Sequence, residues 1–336
     1  MAGRIAFFGE LLMRLSTPGR QLLLQSPSLD AFVGGAEANV AIGLAHLGHK
    51  TRMISAVPAS SLGRAVVGEI QKHGTDCSTV LSLPGRMGLY FLTPGAGLRA
   101  SEVIYDRAGS SFADAAPESW DWPTLLEGCS HLHLSGITPA LGPGAAKAAI
   151  AAAEYARANG IKISFDGNYR ARLWEAWDSN PREVLNVLVG LSDILIGNHR
   201  DMSLLLDREF SGEGPALRRA AAEAAFDAFP NLSLMASTAR HIDDADRHRI
   251  AARVDLPGHF AQTDEVVVSG IVDRIGTGDA FAAGVLHGVL TGSSLEETAE
   301  MGLALACLKH SLPGDAGMFT TDDIEAFKEG ISDVRR

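Results

Sequence analysis

Short apolar runs closed by Gly or Asp alternate with helical stretches along most of this chain, and that alternation constrains the fold more than any other feature. Arg4 to Phe8 reads as a buried strand ended by Gly9. Ala36 to Leu47 has apolar residues at helical spacing and stops at Gly48, where glycine suits a helix C-terminus. Thr51 to Val57 is the next strand, and Gly63 to His73 the next helix. Beyond residue 130, His131 to Leu134 is a strand, Ala145 to Ala158 a helix and Ile161 to Phe165 a strand. Asp193 to Ile196 and Leu232 to Met235 are strands flanking a helix over Ala216 to Phe229. Two apolar helices, Gly278 to Leu290 and Leu295 to Ser311, lie near the end. Strands separated by helices pair in parallel and are covered on both faces, so the expected class is α/β with a mostly parallel central sheet.

Two stretches break the alternation. Leu11 to Leu15 and Leu22 to Leu24 read as short strands split by Thr17-Pro18-Gly19, and Ala31-Phe32-Val33 follows. Met87 to Leu92 and Glu102 to Asp106 are β-rich runs around Pro94-Gly95-Ala96-Gly97, the pattern of a hairpin. Residues of about 11–33 and 86–110 are therefore expected to form a small β lid within one domain spanning 1–336.

Apolar residues make up 46% of the chain, enough for a large core. No apolar run reaches membrane-spanning length, the N-terminus has no secretory pattern, and the three cysteines are far apart. Those features predict free thiols and a cytoplasmic protein with no membrane partner. A net charge of −11 disfavours nucleic acid as a partner but leaves small anionic substrates open, since these need only a few focused Arg or Lys side chains.

The chemistry concentrates in Gly276-Thr277-Gly278-Asp279-Ala280-Phe281-Ala282-Ala283-Gly284. Glycines let backbone approach a ligand closely, and a helix start presents unpaired N–H groups to a phosphate. A bare Gly-x-Gly-Asp would also fit an ordinary capped turn. The longer string resembles the C-terminal signature of the ribokinase-like (PfkB) sugar kinases. That resemblance implies an anion hole at Gly276, Thr277 and Gly278, with Asp279 accepting the proton of the attacking sugar hydroxyl. Gly34-Gly35-Ala36-Glu37-Ala38-Asn39 resembles the N-terminal signature of the same family, in which the glycines hinge the lid and the Asn binds sugar hydroxyls. The family fold is a three-layer sandwich with a β lid, and its cofactors are ATP and Mg2+.

Gly9 to Leu15, Arg86 to Phe91, Val103 to Ala108 and Phe165 to Arg170 are similar to the 2-keto-3-deoxygluconate kinases. The resemblance implies sugar-acid contacts for Tyr90, Tyr105, Arg107 and Arg170, and the reaction expected is ATP-dependent phosphorylation of the 6-hydroxyl. An Arg pair suits a substrate carboxylate because it offers charge-assisted hydrogen bonds. Ile137 is expected beneath the sugar and Asp315 on a late loop reaching it.

Three positions depart from the family pattern, two of them at the expected nucleotide site. Asn198-His199-Arg200-Asp201 replaces Asn-x-x-Glu, leaving Asp201 one methylene short for magnesium unless water bridges, and no firm metal ligand is assigned. Ser237, Thr238 and Arg240 occupy the usual Gly-rich turn, and Gly167 replaces a common Leu. Asn198, Asp201, Ser237, Thr238 and Arg240 are the expected nucleotide contacts, with the Gly276 and Gly278 amides. A Walker loop is absent, the Gly276 string lacks Rossmann spacing, and His131 and His133 read as packed strand residues. The alternatives are a kinase of another sugar acid, including the galactonate epimer, a neutral-sugar kinase and a non-catalytic sugar-acid sensor. Lid strands expose sheet edges, so a homodimer through the lid, or a higher homo-oligomer, is also expected.

Overall fold

A computed structural model describes residues 3–330. The first half runs β1 (Arg4–Phe8), β2 (Leu12–Ser16), β3 (Asp30–Gly34), α1 (Ala36–His46), β4 (Thr51–Pro58), α2 (Ser61–Lys72), β5 (Val80–Leu83), β6 (Gly88–Thr93), β7 (Glu102–Asp106), α3 (Trp122–Leu125), β8 (Cys129–Ser135), α4 (Ile137–Ala140) and α5 (Pro143–Ala158). Then come β9 (Lys162–Asp166), α6 (Ala171–Trp174), α7 (Pro181–Leu191), β10 (Ile194–Ile196), α8 (His199–Leu206) and α9 (Gly214–Ala228). The last part holds β11 (Leu234–Asp244), β12 (Arg247–Leu256), β13 (His259–Gln262), β14 (Val266–Ser269), α10 (Thr277–Thr291), α11 (Leu295–Lys309) and α12 (Thr321–Lys328).

The main sheet has ten strands in the order β13-β12-β11-β10-β9-β8-β1-β4-β5, with β14 beside β12. From β5 to β11 every pairing is parallel, as the alternation of strands and helices predicts. Strand β1 lies between β4 and β8, and its residues alternate between the two sheet faces. Ile5 and Phe7 join a core with α1, α2, α10, α11 and α12; Ala6 and Phe8 join another with α5, α7, α8 and α9. Phe8 is fully buried, with Phe112, Trp120 and Trp122 at ring-centroid distances of 5.3, 4.9 and 5.0 Å. Burying a side chain of that size contributes roughly 2–3 kcal/mol.

The small sheet is mixed, in the order β3-β2-β6-β7. Strand β2 pairs antiparallel with β3 and parallel with β6, and β6 and β7 form the expected hairpin. Leu22 to Leu24 is not a strand; the segment turns, and Leu24 is 97% exposed and buries nothing. The strand expected at Leu232 to Met235 extends instead to Asp244, because its distal half pairs antiparallel with β12. Helix α7 lies outside the expected elements although Asn180 caps it, accepting from the Glu183 amide, and Pro181 opens it. Among the described residues, no helix is long and apolar enough to cross a membrane.

Candidate active site

A cleft of about 1020 Å³ opens beyond the C-terminal ends of β1, β9 and β10, the position where open α/β sheets bind ligands. Leu12, Tyr90, Val103, Tyr105 and Arg107 bring the small sheet over one side of it. Ser237, Thr238 and Arg240 on β11 line the other end, and the first turn of α10 lies between.

Gly276 is the N-cap of α10, with φ 76 and ψ 5, a left-handed conformation that glycine adopts without strain. The amides that start α10 have no partner further back in the helix, so they are free for a ligand, and the helix dipole adds positive potential. Gly35 caps α1 at φ 147, and a Cβ there would fall 2.3 Å from the Glu10 carbonyl oxygen. Both signature glycines thus bring helix starts to the cleft with no side chain in the way.

Asn39 on α1 and Asp279 on α10 are 240 residues apart, yet Asn39 Nδ2 donates to Asp279 Oδ2 at 2.6 Å. Asn39 Oδ1 is buried and has no hydrogen-bond partner among the described residues, an acceptor left unused beside the cleft. Burial pushes the Asp279 carboxyl up to about 7; the Asn39 hydrogen bond opposes this, and the charges of Asp315 and Glu37 add to it. Asp166, at the end of β9, is raised well above the carboxylate range by burial and by the charges of Asp279 and Asp201. Glu37 is buried, with Oε1 accepting from Ser135 N, Ser135 Oγ and Thr138 Oγ1 at 3.1, 2.7 and 2.8 Å. Glu37 therefore ties α1 to the end of β8 under the cleft.

The cations fall into two groups. Arg107 is buried and donates through Nε and Nη2 to Glu10 Oε2 at 2.8 and 2.5 Å, leaving Nη1 outside that pair. Arg170, Arg240 and Arg274 line the cleft and make no ion pair among the described residues. Burial and the charges of Arg274 and Arg170 lower the Arg240 pKa, so this end of the cleft favours an anion.

The other expected residues are placed as follows. Gly35, Tyr90, Tyr105, Ile137, Asn198, Thr277, Gly278 and Asp315 line the cleft; Gly34 lies behind Asp315, whose Oδ2 occupies the space of a Gly34 side chain. Asp201 does not line the cleft: its Oδ2 accepts from the Asn198 amide at 2.7 Å, completing a capping box on α8. A Cβ on Gly167 would come 2.6 Å from Asp201 Oδ1, so two departures from the family pattern are neighbours in space. Glu10, Asp166 and Arg274 carried no expected role; Glu10 sits in a motif that resembles the family, but only the fold reveals its partner Arg107.

Magnesium suits the donor chemistry. Asp166 and Asp279 are hard oxygen donors on the cleft, and their mutual repulsion is of the kind a dication relieves. Among the described residues no cluster of three His, Cys, Asp or Glu side chains is assembled, so the ion would be held largely by triphosphate and water.

The chain matches the family described as pfkB family carbohydrate kinase over residues 2–231 and 261–321. It is 31% identical to the 2-dehydro-3-deoxygalactonokinase of Haloferax volcanii, covering 98% of both chains. A solved 2-dehydro-3-deoxygluconokinase from Thermotoga maritima superimposes with TM-score 0.92 and 34% identity, covering 98% of this chain and 99% of that one. A putative ribokinase II from E. coli, solved with ATP and Mg2+, shares the fold at TM-score 0.81 and 20% identity, over 98% and 99% of the two chains.

Proposed function

This chain belongs to the pfkB family of carbohydrate kinases, as an ATP-dependent sugar-acid kinase, and we propose that it phosphorylates the 6-hydroxyl of 2-keto-3-deoxygluconate or its galactonate epimer. The observation that carries this reading is the Asn39–Asp279 contact at the start of α10, between the arginine-lined end of the cleft and the small sheet.

The sugar acid lies under the small sheet, with Tyr90 and Tyr105 above it and Ile137 at its apolar contact. Arg170 supplies a whole guanidinium to its carboxylate; Arg107 supplies only the Nη1 edge, because Glu10 takes the other. Asn39 Oδ1 accepts from a sugar hydroxyl, and Gly35 lets the substrate approach the backbone. Mg2+ bound with ATP would neutralise charge on the triphosphate beside Asp166.

Phosphoryl transfer depends chiefly on alignment and charge stabilisation. The Gly276, Thr277 and Gly278 amides hold oxygens of the transferring group; as the sugar oxygen bonds to the γ-phosphorus and the bond from that phosphorus to the departing ADP oxygen breaks, Asp279 takes the hydroxyl proton. A carboxyl pushed up to about 7 is a stronger base than an ordinary Asp and remains largely ionised just above neutrality. Asn198, Ser237, Thr238 and Arg240 border the nucleotide, while Asp201 supports Asn198 through the α8 cap. The exposed β7 edge of the small sheet, with Ile104 and Tyr105, is the surface for a homodimer.

The test is coupled ADP release with ATP, Mg2+ and a panel of sugar acids and neutral sugars. Turnover with 2-keto-3-deoxyhexonates is expected. Turnover confined to neutral sugars would exclude the substrate class and leave the kinase standing.

A further inference from the structure

We propose that Arg14 is a positioning residue that couples the small sheet to the phosphate-binding loop. It rests on the reading that places the transferring phosphate at Gly276–Gly278. Arg14 lies in the middle of β2, far from those residues in sequence, with Phe32 and Tyr90 as its cross-strand partners. It is 1% exposed, and its guanidinium lies 4.5 Å from the Phe32 ring centroid.

Both of its ion-pair partners flank the phosphate loop. Arg14 Nη2 donates to Asp273 Oδ2 at 2.6 Å, and Nη1 lies 3.1 Å from Asp315 Oδ1. Asp273 in turn accepts from the Ile275 amide at 2.9 Å and the Gly314 amide at 3.1 Å. One carboxylate thereby sets the backbone entering Gly276 and joins it to the loop after α11. Tyr90, also on the small sheet, donates to Asp315 Oδ2 at 2.5 Å. The Asp315 carbonyl oxygen occupies the space of a Gly276 side chain, 1.7 Å from where a Cβ would stand, so a shift of Asp315 moves Gly276.

Lys309, fully buried, donates to the Leu312 carbonyl at 3.0 Å behind the same two aspartates. Arg14 thus pairs with both carboxylates, and Lys309 adds a second positive charge close to them. A buried ionic cluster is weak support for stability compared with apolar packing, but it fixes geometry because every misalignment exposes a charge. Tyr105 and Arg107 hang over the sugar from the same sheet that carries Arg14. Seating that sheet on the sugar is therefore transmitted through Arg14 to the amides that receive the phosphate.

The test compares Arg14→Lys, Arg14→Met and the charge-balanced pair Arg14→Met with Asp273→Asn, by steady-state kinetics and thermal melting. In Arg14→Met, kcat should fall about 100-fold, the scale of a misaligned reacting pair, while KM for sugar acid and for ATP stays within about threefold. Arg14→Lys should recover about tenfold of that loss, because it restores the charge without the fork. The charge-balanced pair should regain the melting temperature but not kcat. Recovery of kcat along with stability would overturn the proposal, and so would a rise in sugar KM at unchanged kcat. If Arg14→Met does not fold, Arg14→Lys decides alone: a fall in kcat at unchanged KM and Tm upholds the coupling, and parental kcat overturns it. Asp279→Asn serves as the reference: if it retains activity, the phosphate site itself is misplaced; if it is inactive while the Arg14 variants turn over normally, only the coupling fails.

Discussion

Replacing Asp279 by Asn removes the proposed base but keeps the shape, since an amide oxygen can still accept from Asn39. The expected kinetic loss is about 10²–10⁴ in kcat, the range for a removed general base. A second effect runs the opposite way. Asp279 is displaced from 3.8 to about 7, and about three units correspond to about 4 kcal/mol. The side chain faces an open cleft, and solvent screening reduces this to about 2 kcal/mol. Because the folded state holds this proton more tightly than the unfolded chain, Asp279 lowers stability as pH rises from about 4 to about 7. At pH 8 the Asn variant should be more stable than the parent by about 2 kcal/mol, a gain of about 2–4 °C in Tm. The gap should narrow to less than about half at pH 5 and close below about pH 4. In the parent, kcat/KM should rise with pH and level off above about 7, as the free enzyme's base loses its proton. Scanning fluorimetry at both pH values and coupled ADP release measure all of this. Undiminished turnover would refute the role of Asp279 as base, and an equal Tm gap at pH 5 and pH 8 would refute the burial cost.

The two arginines assigned to the carboxylate should separate. Arg170→Ala should raise KM for the sugar acid about 30- to 100-fold, the worth of charge-assisted hydrogen bonds, with an unchanged Tm. Arg107→Ala should also destabilise the protein by about 3–5 kcal/mol in chemical denaturation, because it strands Glu10 without its cation. Light scattering should give the mass of a dimer, and Ile104→Lys together with Tyr105→Lys should give a monomer; a parent that is already monomeric would refute the lid interface.

Much of the scaffold was legible because its periodicities are local. β1, α1, β9 and α5 each carry their own apolar pattern and a Gly or Asp stop. Strands β12 to β14 are harder to read, since Arg247, Arg249 and Arg253 interrupt the apolar run of β12. Of these, Arg253 is buried by pairing with Asp255 at 2.7 Å, a contact that makes the sequence look more polar than its environment. Leu22 to Leu24 misleads in the opposite direction, because three apolar residues without a partner strand form no ladder. At the site, the two glycine signatures are readable as helix starts. The pairings that set its electrostatics are not, since Arg107 meets Glu10 across 97 residues and Arg14 meets Asp273 across 259. Those distances are closed by topology alone. The α8 capping box was within reach of local reading, because Asn198 and Asp201 have its spacing.

The closeness of Gly167 and Asp201 has a consequence for how sequences of this kind can diverge. A side chain at 167 must displace an Asp201 carboxylate held at 2.7 Å by the Asn198 amide, forfeiting a cap worth about 1 kcal/mol. The two positions are therefore coupled: a larger residue at 167 requires the acid at 201 to be re-aimed. A change at either position alone frustrates the start of α8, and the pair must be exchanged together.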